Sequence, residues 1–473
     1  MGEGCIIEPS VQATAGPAVR AGDWLASVAF DGLPSSAVDA VRSSLIDWFA
    51  CAIAGLDEAV TRTVAQRMLR YAAPGPAALM MGGSTAAPMA AMIHATAAHA
   101  LDYDDTHIWT DAHFGGPTWA ALLASGGLVR DEDLCVSYAA AVQVAARLAG
   151  RRLGHAMVQR GFQATGLLGR LSAAAGCSVL MKLDARRTAT ALSLAATQTA
   201  GLTGTFGTMA KPFQAGRTAF DGVLAADLAA DGFAMSPALF DAGGGLARAL
   251  VQDGFAQIAD PDLGGEWEVS RISTKPYACL HGIHPSIDAA RELHAGIAGR
   301  PIRSVRAFVA PGVPKIGHFR VPADPHEARF SVPFCVALGL TGRGTRLVDF
   351  GAAAVSNVQL RGLAERVEVV PVEGRRMYDA AIEVVLEDGT VLASDVPMAR
   401  GHPARPLSAE ELEAKFLDCA QGVPSATAGA ILDALRTFPA DGAAARALAI
   451  MNGQASGRTN PHRAATHGPG GNP

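Results

Sequence analysis

The feature that most constrains this chain is a change of texture partway along it. From Ala21 to about Phe255 apolar residues recur at three- and four-residue steps, the spacing of one helix face, and glycines punctuate the pattern. Ser36 is placed to cap a helix carrying Val38, Val41, Leu45, Phe49 and Ile53. Further helices are expected at 87–101, 118–128, 134–149, 167–180, 185–200 and 217–232. After Trp267, valine and isoleucine concentrate in 305–309, 367–370, 380–386 and 391–396, which read as strands. Asp388-Gly389, between the last two, is a hairpin signal. Segments 285–297 and 327–340 read as helices within this mixed region. Ser408-Ala409-Glu410-Glu411 is a capping box that restarts helix, and 426–438 reads as another. The expected fold is mainly α. A large all-helical domain over 19–271 is interrupted by a smaller inserted α+β domain over 272–403, and helices at 404–455 rejoin the first. Residues 1–18 and 456–473 lack apolar periodicity and are expected to be disordered.

A chain of 473 residues is too long for one core, which agrees with two domains. Hydrophobic residues make up 49% and charged residues 18%, the balance of a well-buried globular protein. The net charge of −5, without a basic stripe, argues against a nucleic-acid partner. Apolar runs are short or interrupted, as at Pro88 and His94, so no membrane span or membrane partner is expected. The N-terminus lacks a basic region followed by an apolar core, so the expected location is cytoplasmic. Seven well-separated cysteines without a CxxC pair read as reduced thiols rather than a zinc or iron–sulfur site.

Four segments concentrate chemistry. In the first, Asp102, Asp104, Asp105 and Asp111 lie among His107 and His113 at the end of an apolar helix; Asp102 and Thr106, four apart, would share a helical face. A solvated acidic turn and a magnesium–diphosphate site are the competing readings, but no second acidic motif supports the metal. The second is Arg160-Gly161-Phe162-Gln163-Ala164-Thr165-Gly166. In the third, Lys211 precedes Pro212 between glycines, which reads as a lysine held on a loop. The fourth runs from Lys275 through Tyr277, His281 and His284 at the expected domain junction, where clefts form. His281 and His284 lack a third ligand nearby, so no metal site is expected there.

Taken together, LDYDDTH at 101–107, RGFQATG at 160–166, GTMAKPFQAGR at 207–217, KPYACLHGIHPSIDAA at 275–290 and EARFSVPF at 327–334 resemble the MmgE/PrpD family. The resemblance implies a helical domain with a smaller α+β lid, a homodimer, and a site between the domains that uses neither metal nor organic cofactor. It places active-site positions on Asp102, Thr106, His113, Lys211 and Lys275. Three positions depart from the family's pattern: Gln163 stands where histidine is common, Leu280 precedes rather than supplies a histidine (His281), and Phe114 replaces a frequent proline.

The activity implied is that of a hydro-lyase like 2-methylcitrate dehydratase, removing a proton α to a carboxylate and expelling water from a small di- or tricarboxylate. Decarboxylation of a cis-aconitate type, epimerisation of an iminodisuccinate type, and a catalytically silent binding subunit are the alternatives. Lys211 and Lys275 are expected to clamp carboxylates, with His281 or His284 assisting. Asp102 and His113 are expected to form the acid–base pair, Asp102 acting protonated if buried beside other carboxylates and His113 titrating near neutrality. Thr106 would position one of them. Gln163, Tyr277, His107 and His284 complete the expected substrate contacts.

Overall fold

The alanine-rich periodic stretches fold as helices that approach closely, because small side chains keep the axes near one another. The computed structural model describes residues 16–71, 74–127, 129–236, 246–251, 262–440 and 442–457. The helical part contains Ser35–Gly55, Ala87–His99, Gly115–Ser125, Asp131–Gln159, Ala164–Leu180, Ala185–Thr197 and Ala210–Ala230. Most of 1–18 and 456–473 lies outside the described residues, but helices Pro17–Ser27 and Ala443–Gly457 each reach into one of those stretches. Pro17 opens its helix at the first position, where no backbone N–H is needed, and buries Ala18, Ala21 and Leu25. Ser36 does not cap: its helix starts at Ser35, after Pro34.

One close approach bears on the site. A side chain at Gly216 would run into Thr96 Oγ1 and the Met92 carbonyl, so glycine lets Ala210–Ala230 lie against Ala87–His99. Lys211 is not on a loop. It occupies the first turn of Ala210–Ala230, because Pro212 is tolerated there without losing a helical hydrogen bond. Asp102 and Thr106 do not share a helix face either. The helix ends at His99, Asp102 takes a left-handed conformation (φ 50°), and Thr106 sits in a two-residue strand. Asp is among the few residues that enter that region at modest cost.

The C-terminal side carries a four-stranded sheet in the order Val367–Pro371, Ile302–Val309, Ala380–Leu386, Val391–Val396. Ile302–Val309 pairs parallel with the first of these and antiparallel with Ala380–Leu386. The hairpin turns at Asp388-Gly389, with Gly389 at φ 88°. Ala380, Ile382, Val384 and Leu386 are buried in strict alternation, and helices His284–Ile297 and Val332–Leu340 pack on the sheet.

Two connections bind this part to the helical part. Thr106 and His107 pair antiparallel with Ser273 and Ile272, so the acidic turn and the run into Lys275 form one seam. Helix Ala409–Cys419, opened by the Ser408/Glu411 capping box, packs against Ser35–Gly55. Its Lys415 Nζ lies 2.5 Å from Asp47 Oδ1 and donates to the Tyr103 carbonyl at 2.8 Å. No helix among the described residues is long and apolar enough to cross a membrane.

Candidate active site

The acidic turn is buried, not solvated: Asp102, Asp104 and Asp105 are all at most 4% exposed. Burying three carboxylates within four residues demands compensation, and each finds a different kind. Asp102 Oδ1 accepts from Lys211 Nζ at 2.6 Å and Lys275 Nζ at 2.9 Å, and Lys275 also donates to the Asp102 carbonyl at 2.9 Å. Both oxygens of Asp104 face His99 Nδ1, at 2.8 and 3.0 Å. Asp105 accepts from the Gly115 amide at 2.9 Å and from Ser44 and Tyr138 hydroxyls at 3.1 and 3.3 Å. Gly115 and Gly116 make room for Asp105 and Asp104, since a side chain on either would crowd those carboxylates. The start of helix Gly115–Ser125 thus presents its positive end to them.

These partners set the charges. Burial alone would raise the Asp102 carboxyl, but Lys211 and Lys275 hold it far below the usual carboxylate range. The expectation that Asp102 acts protonated is therefore reversed. Asp105, by contrast, is pushed up to about 7 by burial, with Asp104 and Asp47 adding to the rise. Burial also pulls His113 down to about 4, away from the neutral range expected for it, and holds His281 well below the usual imidazole range. Lys211 is lowered by burial, opposed by Asp102, and stands 5.2 and 5.5 Å from the Phe206 and Phe330 ring centres.

A cavity of about 80 Å³ opens where the two parts meet, room for several waters or one small ligand. Of the expected site residues, Asp102, Thr106, His113, Gln163, Lys211, Lys275 and His281 line it, joined by Asp111 and Leu280. The wall also contains Phe206, Met377 and Tyr378. Three of the expected contacts lie elsewhere. His107 bridges Glu268 (3.1 Å) and Thr110 (3.1 Å), inside an ion cluster with Arg147 and Arg271. Tyr277 donates to Asp288 at 2.5 Å, behind the wall. His284 accompanies the Cys279 carbonyl at 3.3 Å and lies tilted against His281, which is the member of that pair facing the cavity. Tyr378 was missed because it falls in a short loop before a strand, without a motif around it.

The wall has unmet hydrogen-bonding capacity. Asp102 Oδ2, Thr106 Oγ1, both amide atoms of Gln163, His281 Nδ1 and the Tyr378 hydroxyl are buried without partners among the described residues. Native proteins rarely leave such atoms unsatisfied, so this wall has the donors and acceptors to take water or a polar ligand.

His99, Asp104 and His113 offer ligand atoms within 4.8 Å of one another, an arrangement that could hold an ion. A magnesium site like that weighed from the sequence needs oxygen donors. Here the Asp104 oxygens are engaged by His99 and the Asp105 oxygens by Gly115, Ser44 and Tyr138. The donor set does not fit that ion.

A mainly helical body, a sheet-bearing C-terminal part, and a buried lysine–aspartate–histidine cavity at their junction define the class of protein. The chain belongs to the MmgE/PrpD family: the MmgE/PrpD N-terminal domain matches residues 20–258 and the MmgE/PrpD C-terminal domain residues 277–436. Among curated proteins it is similar to cis-aconitate decarboxylase of Homo sapiens, 25% identical over 69% of this chain and 71% of that one. The Mus musculus enzyme of the same name is 24% identical over 69% and 70%. A cis-aconitate decarboxylase of Aspergillus terreus is 25% identical over 52% and 54%.

Proposed function

We propose that this protein is a lyase for a small di- or tricarboxylate. Lys211 and Lys275 hold a carboxylate, and His113 exchanges a proton at the adjoining carbon. One observation carries this reading: two buried ammonium groups and an uncharged imidazole meet over Asp102 in a single cavity. Lys211 spends one N–H on Asp102 and Lys275 two, so both retain donors for a substrate oxygen. Burial keeps His113 neutral at physiological pH, with a lone pair available as base. Charge that develops on the α-carbon spreads into the held carboxylate, where the lysines stabilise it.

Decarboxylation is the first reaction to test, because the curated relatives bear that name. In a cis-aconitate-like substrate the electrons of the breaking carbon–carbon bond form a new double bond as CO2 leaves. The displaced alkene electrons take a proton at the carbon α to a retained carboxylate; His113, neutral at rest, takes that proton from solvent at Nε2 and passes it to the carbon. Elimination of water is the second reading, favoured by the unpartnered hydroxyls of Thr106 and Tyr378, which can donate to a departing hydroxide. Gln163 can donate a hydrogen bond but cannot carry a proton, which leaves proton transfer to His113 and His281. In this reading the sheet-bearing part acts as the lid of the cavity and the working unit is a homodimer, which light scattering would show at twice the 48.5 kDa chain mass.

The experiment is proton NMR of cis-aconitate, 2-methylcitrate, citrate and iminodisuccinate with the protein, paired with thermal-shift binding. Loss of CO2 or water from one of them is the expected result. Binding without turnover would mean a silent binding subunit, and no binding at all would remove the lysine clamp.

A further inference from the structure

His113 has a carboxylate on each side. Nε2 lies 3.9 Å from Asp102 Oδ1, on the cavity side, and Nδ1 lies 3.2 Å from Asp104 Oδ1. Asp104 is not among the described residues that line the cavity, so it cannot act on a ligand directly. It is nevertheless fixed with care. His99 Nδ1 spans both its oxygens, Gly116 leaves space beside it, and the His99 and His113 rings meet edge to face with centres 4.6 Å apart. His99 and His113 hold the Asp104 carboxyl well below the usual range against the opposing effect of burial, so it stays ionised.

An ionised carboxylate beside one imidazole nitrogen favours the tautomer that carries its proton there. The 3.2 Å approach to His113 is off the axis of an N–H bond, which makes it a charge contact rather than a linear hydrogen bond. Its electrostatic effect on the ring does not need that alignment. The geometry points to Asp104 as a positioning residue for His113: it keeps the proton on Nδ1, turns the Nε2 lone pair toward the cavity, and stabilises the imidazolium formed when Nε2 takes a proton. His99 holds Asp104 in place by donating from its own Nδ1. Asp104 itself gains no proton: in elimination the proton passes from substrate carbon to His113 Nε2 while the carbon–hydrogen electron pair goes to the carboxylate held by the lysines, and in decarboxylation Nε2 takes a proton from solvent and gives it to the carbon. This role rests on the reading of His113 given above.

Two measurements test it. In protein labelled with 15N-histidine, the His113 signals are identified by their loss in His113→Gln. Long-range proton–nitrogen correlation at pH 7 should then show Nδ1 protonated and Nε2 bare. The reverse tautomer would overturn the assignment whether or not any substrate is turned over. Second, Asp104→Asn should lower kcat by about 100-fold or more, the scale of general-base assistance, while KM and carboxylate affinity stay within about threefold. A folded Asp104→Asn protein with kcat within threefold of the parent would also overturn it. If that variant does not fold, the tautomer measurement decides. Failure of every carboxylate to react, with the Nδ1–H form intact, would sink the lyase reading and leave the tautomer assignment standing.

Discussion

Asp102 and Asp105 are three residues apart, equally buried, and driven in opposite directions. Asp102 faces two ammonium groups and stays ionised under all ordinary conditions. Asp105 faces a backbone amide and two hydroxyls, with like charges at Asp104 and Asp47 nearby, and titrates at about 7. Burial alone therefore does not decide what a carboxylate becomes; the charge of what faces it does. The first is part of the cavity's electrostatics. The second is a neutral strut at the start of a helix when the pH is below its titration.

That contrast can be broken experimentally, beginning with its largest consequence. Lys275→Ala removes two of the three lysine hydrogen bonds on Asp102 and one of the two substrate clamps. It should lower kcat/KM by about 1000-fold and weaken carboxylate binding, since truncating one partner of a desolvated charge pair costs roughly 2–5 kcal/mol of binding. Unchanged affinity in calorimetry would end the clamp role. Asp102→Asn should destabilise by a similar few kcal/mol at neutral pH, because two buried lysines lose their shared counter-charge. Since the folded-state value of Asp102 lies below that of the unfolded chain, its contribution is fully present above the ordinary carboxylate value of 3.8 and shrinks as pH falls below it. The stability gap between parent and variant should narrow steadily as the pH is lowered below about 4.

Asp105→Asn sharpens the other half. A folded value of about 7 against 3.8 unfolded means that stability is lost as pH rises between the two. The variant, which cannot ionise, should gain about 2 kcal/mol on the parent between pH 4 and 8, a conservative share of the roughly 4 kcal/mol that the shift implies. A flat difference across that range would show that Asp105 is ionised throughout. The smallest effect expected is that of Tyr138→Phe, which removes one hydroxyl from Asp105 and should cost about 1 kcal/mol in denaturant unfolding.

Much of the frame was legible because it depends on periodicity. The strands at 302–309, 367–371, 380–386 and 391–396 and the Ser408 capping box declare themselves through alternation and local hydrogen-bonding chemistry. What failed were inferences about local conformation and environment. Lys211 looked like a loop residue because the rule against helix before proline does not hold in a first helical turn. Asp102 and Thr106 looked like helix neighbours because nothing in the residue types announces a left-handed Asp102. The direction of the Asp102 shift was misjudged because its two lysines arrive from 109 and 173 residues away. His99 and Tyr378 went unremarked for the same reason: their significance is a matter of tertiary proximity.

Lys415 gives the molecule a constraint in time. It reaches Asp47 across 368 residues of chain and Tyr103 across 312, and with them it braces the floor beneath the acidic turn. A ribosome releasing this polypeptide has already emitted every group of the cavity wall before it makes the lysine that neutralises the floor. Asp47 therefore meets its buried counter-charge only after the segment carrying Lys415 has been made, and the cavity reaches its final electrostatics once that helix docks.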